Sequence, residues 1–182
     1  MKRRVPVLVA LLGGATALLL VGGCVGAAIL VVGDDRDEAR TCQESVRAAE
    51  AKVRTDRWDP PGELPDLGDY PEIHWQLRAS GEPCGRAPGP TDWAYQGVVR
   101  LRAEDARTLA QRYDFVPYAP AGPAGTPQPG PADAWPALAP YLPPAPRWLH
   151  SRSYDEGKPS TRWRAAFLDV EHGTLFFTLN DH

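Results

Sequence analysis

Two apolar runs, RWRAAFLDV over residues 162–170 and TLFFTLN over residues 174–180, flank the three residues Glu171, His172 and Gly173. Each run is long enough for a strand, and a short connection ending in glycine is a hairpin signal. Phe167, Leu168, Leu175, Phe176, Phe177 and Leu179 put apolar groups on both faces of that hairpin. A strand alternates its side chains between faces, so a hairpin apolar on both sides is expected at the centre of a sheet, with a helix against one side.

Upstream, Ile73, Trp75 and Leu77 alternate with His74, Gln76 and Arg78, which predicts a half-buried strand over residues 72–79. Trp93, Tyr95, Val99 and Leu101 repeat at period two and predict a second strand over 93–102. Glu104 and Asp105 suit the first turn of a helix, and Ala106, Leu109, Ala110 and Tyr113 form its apolar stripe over 103–113. Residues 117–131 hold six prolines and no periodicity, and read as a loop. A short helix interrupted by Pro136 and Pro140 is expected over 133–142, and a short strand over 147–153. The exported unit is therefore read as α+β, one antiparallel sheet of about five strands with two or three helices.

Val5 to Val32 are 28 residues without a charge, whereas about 20 helical residues cross a bilayer core of about 30 Å. Lys2, Arg3 and Arg4 precede this run, and Asp34, Asp35, Asp37 and Glu38 follow it. Basic flanks stay cytoplasmic, so residues 1–4 are expected inside, 5–32 as a transmembrane anchor and the remainder outside the plasma membrane. Residues 33–71 read as a stalk helix, with Ala39, Val46, Ala49 and Val53 on one stripe, followed by a Pro-rich connector; residues 72–182 are the extracytoplasmic domain. An alternative rests on Val21-Gly-Gly-Cys24, a loose lipobox in which Cys24 would carry a lipid. The apolar continuation from Val25 to Val32 counts against it, and a cleaved signal is a third reading.

The formal net charge is −3, and without the N-terminal basic trio it is −6, which argues against nucleic acid as a partner. Cys42 and Cys84 are the only cysteines beyond the apolar run. An even pair in an oxidising compartment predicts a disulfide; two free thiols are the alternative. His74, His150, His172 and His182 lack ligand spacing with one another or with cysteine, so no metal or other cofactor is expected. Ser151 and Ser153 flank His150 near Asp155, but no GxSxG elbow accompanies them, and a polar strand end and turn is the preferred reading. Six tryptophans are many for 182 residues. Trp75 and Trp93, at alternating strand positions, are either sheet packing or an exposed aromatic surface for a partner.

YQGVVRLR over 95–102 with EDAR over 104–107, WPALAPYL over 135–142 and WLHS over 148–151 resemble uncharacterised small membrane-anchored proteins of actinobacteria. The dominance of Arg over Lys, 17 to 3, agrees with a GC-rich genome of that kind. The resemblance covers most of the exported domain and implies no activity and no catalytic residue. The chain is therefore expected to be a membrane-anchored, non-enzymatic domain that binds a partner protein or envelope component. A cell-envelope hydrolase without a recognisable motif is the alternative.

Overall fold

A computed structural model describes residues 36–57, 64–85, 92–120, 129–157 and 162–181. The expected cytoplasmic N-terminus, anchor and Cys24 lie outside these, as do Trp58 and His182. Among the described residues no helix is long and apolar enough to cross a membrane. The chain divides into two units, Met1–Ser45 and Val46–His182. Residues 36–51 are helical (α1). In the first unit its turns are mostly exposed, with Arg40 paired to Asp37 at 3.1 Å.

The second unit is built on an antiparallel sheet of six strands: β1 (Glu72–Ser80), β2 (Asp92–Arg100), β3 (Val116–Pro117), β4 (Leu149–His150), β5 (Arg162–Asp169) and β6 (Thr174–Asp181). Their order across the sheet is β1-β2-β6-β5-β4-β3. With α1, α2 (Ala103–Arg112) and α3 (Arg152–Glu156), the architecture is α+β with three helices. The hairpin β5–β6 occupies the two middle places, as its two-sided apolar pattern requires. Its turn needs Gly173 twice over: φ is +57°, and a side-chain carbon there would meet the Leu101 carbonyl oxygen at 2.8 Å.

Alternation splits the core into two layers. Val99, Ala166, Leu168, Leu175, Phe177 and Leu179 face α2 and α3, where Ala106, Leu109 and Tyr154 complete the packing. Val98, Ala165, Phe167 and Phe176 face the opposite way and are covered by Leu138, with Trp135, Tyr141, Leu142 and Trp148 around it. That second cover is not a helix of ordinary length. Pro136 and Pro140 break the stretch into irregular chain with two 3-10 turns, Pro131–Asp133 and Ala139–Tyr141, because proline cannot donate the bonds an α-helix needs. Buried side chains hold it instead: Gln96 accepts from the Trp135 N–H at 2.8 Å and donates to the Asp133 carbonyl at 3.3 Å.

The sixth strand arises where a continuous Pro-rich loop was expected. Val116 and Pro117 pair with His150 and Leu149 at the edge of the sheet. Proline is tolerated on an edge, where its missing N–H breaks no ladder bond and blunts further strand addition. The strand expected over 147–153 shortens to two residues, because Ser151 leaves the ladder to cap α3, accepting from the Tyr154 N–H at 3.2 Å.

At the other edge, Arg54 and Trp75 exchange backbone hydrogen bonds at 2.8 and 2.9 Å. Glu50, near the end of α1, accepts from the Gln76 amide through its carbonyl at 2.7 Å and from the Ala79 N–H through its carboxylate at 2.8 Å. The polar face of β1 is thus covered, and Gln76 is 3% exposed.

Candidate functional site

Among the described residues, a group of polar side chains beside an open cleft lies where β4 turns into α3. His150 stands opposite Phe167 in the ladder and its ring stacks on that phenylalanine, with centroids 5.2 Å apart and planes 27° apart. Tyr118 meets it edge-on at 6.2 Å. Held between these rings, the imidazole presents Nε2 to Asp155 Oδ2 at 2.7 Å, with 23% of the histidine side chain and 11% of the aspartate exposed.

Asp155 does more than hold the histidine. β4 ends at His150, so Ala166 of β5 has no strand on the side away from β6, and its N–H donates to Asp155 Oδ1 at 3.0 Å instead. One carboxylate thereby completes the ladder and orients the imidazole. Burial pushes the Asp155 carboxyl above the usual carboxylate range, against the opposing pull of His150, the Ala166 N–H and the Arg164 guanidinium. Arg164, itself buried, donates to the carbonyls of Tyr154 and Asp155 at the end of α3.

A cleft of about 630 Å³ opens beside this group, with Val116, Pro117 and Tyr118 on one wall and His150, Arg152 and Ser153 on the other. Val116 is 59% exposed, the one large apolar side chain so displayed among the described residues.

An ionised Asp155 makes Nε2–H the donor and leaves the lone pair on Nδ1, an arrangement from which an imidazole can accept a proton. A nucleophile must then lie within reach. The two serines nearest in sequence are spent elsewhere: Ser151 and Ser153 both approach the Tyr113 carbonyl, Ser153 at 2.8 Å, and each other at 2.9 Å. They tie the end of α2 to the start of α3. The fold therefore assembles the histidine and the carboxylate of the sequence's Ser, His and Asp, and directs the hydroxyls away.

The other two described histidines also stand beside carboxylates. His172 Nδ1 is 2.9 Å from Asp169 Oδ2 in the hairpin turn. Burial opposes ionisation of Asp169, but bonds from the His172 ring and N–H and from the Arg147 N–H outweigh it and hold the carboxyl below its usual range. His74 stacks flat on Tyr141 at 3.6 Å and lies 3.5 Å from Glu72. It lines a smaller recess of about 390 Å³ with Arg57 and Tyr70. Among the described residues no three His, Cys, Asp or Glu side chains gather to hold a metal ion. Cys42 and Cys84 stand as a pair at disulfide distance.

No family model, no curated protein and no solved structure matches the chain. What the site can do rests on its own geometry.

Of the two tryptophans singled out in the sequence, Trp75 is half-buried against the core. Its indole N–H donates to the Asp56 carbonyl at 3.1 Å, and the Arg54 guanidinium lies 5.0 Å over its ring. Trp93 is half-buried near the start of β2, across from Ala79. Sequence reasoning placed Asp155 beside His150 but set both aside as a polar strand end and turn, and it missed Arg164 as a site residue. The only local hint was a charged residue, Arg164, interrupting the apolar run of β5 between Trp163 and Ala165.

Proposed function

We propose that this chain is a single-pass membrane-anchored extracytoplasmic domain that binds a partner protein or a cell-envelope component and does not catalyse a reaction. The anchor reading is supported by the uncharged run 5–32 between a basic trio and an acidic exit. The binding reading rests on one observation: the hydroxyls beside His150 serve the Tyr113 carbonyl, and Asp155 is shared between the imidazole and a backbone N–H. These polar groups brace α2, α3 and β5 and do not converge on a reacting atom. The cleft beside β3 is the contact surface in this reading, with Val116 and Tyr118 as its apolar anchors. Trp93, half-buried near the start of β2, is a second aromatic candidate for contact.

Two measurements test it in cells. Protease added to wall-stripped cells should remove a C-terminal tag, and a protected tag overturns the orientation. A photo-crosslinking residue at position 116 should yield one discrete envelope product. A smear equal to that from an exposed control position on α1 overturns the cleft as the contact. The lipoprotein alternative is separated by Cys24→Ser, which abolishes lipid labelling only if Cys24 is the anchor.

The His150–Asp155 pair in an open cleft favours one second reading, an envelope hydrolase in which His150 activates water. Loss of hydrolysis of an envelope substrate in His150→Ala, with the fold retained, decides for it.

A further inference from the structure

We draw no further inference here: the strongest candidate, the cleft between β3 and α3 where the His150–Asp155 pair meets exposed Val116, belongs to the site already described, and nothing in the structure shows what occupies it.

Discussion

Replacing Gly97 with alanine should destabilise the domain by about 1–2 kcal/mol, and the reason is visible only across three strands. Gly97 lies in β2 between Trp75 of β1 and Phe177 of β6. A side-chain carbon there would stand 2.4 Å from Phe177 Cζ, 2.5 Å from Cε1 and 3.0 Å from the His74 carbonyl oxygen. Carbon atoms pack comfortably at about 3.5–4.0 Å, so the ring must retreat by about 1 Å. Phe177 is fully buried, and protein interiors are close-packed with few voids for a ring to move into. Overpacking of this kind costs about 1–3 kcal/mol. Removing glycine from a strand returns roughly 0.5–1 kcal/mol of backbone entropy, so a central overpacking cost of about 2 kcal/mol leaves a net loss of about 1–1.5 kcal/mol, within the range stated above. Urea unfolding followed by tryptophan fluorescence reads it as a lowered midpoint at constant slope, and a thermal scan as a fall of about 4–8 °C. Phe177→Leu withdraws the clashing ring carbons, so the double variant should cost clearly less than the sum of the two single changes. A Gly97→Ala protein as stable as wild type, or strictly additive behaviour with Phe177→Leu, refutes the close-packing account.

Four further outcomes are expected. Asp155→Ala should cost about 1–3 kcal/mol, because the Ala166 N–H loses its acceptor in a buried place. The folded Asp155 carboxyl lies above its unfolded value of about 3.9, so its contribution is full at low pH and is lost as pH rises through the folded value. The stability of wild type relative to Asp155→Asn should therefore be greater at pH 4 than at pH 7, and the opposite trend in denaturant midpoints would contradict the burial argument. Reducing the Cys42–Cys84 pair reopens a loop of about 40 residues in the unfolded chain and should lower stability by about 4 kcal/mol on the chain-entropy model; an unchanged urea midpoint in reductant would show that the bridge contributes nothing. Trp75→Ala should remove about 2–4 kcal/mol and speed hydrogen exchange at the Arg54 and Trp75 amides, since the indole clamps the 54–56 segment to β1. Exchange that stays at the wild-type rate at those two amides would mean that the backbone pair holds the edge by itself.

The elements legible in the sequence were those whose signal is local. The β5–β6 hairpin, its central place and the helix packed on one side followed from apolar groups at successive positions around Glu171-His-Gly173, and β1, β2 and α2 followed from their periods of two and about 3.6. The cysteine pair followed from counting. What was not legible depended on partners far along the chain. A sixth strand of two residues has no period to detect, and Val116 and Pro117 become one only because β4 lies beside them. His74, Gln76 and Arg78 read as a solvated face, yet Glu50, Tyr141 and Trp135 arrive from distant segments to cover them. The same holds for the site. Ser151, His150 and Asp155 are neighbours in sequence, but it is the carbonyl of Tyr113 and the N–H of Ala166 that decide which polar atoms remain available. Periodicity specifies which face of an element is apolar, because that depends on the chain's own geometry. Which buried donor meets which acceptor depends on how separate elements are brought together, and that only the tertiary structure decides.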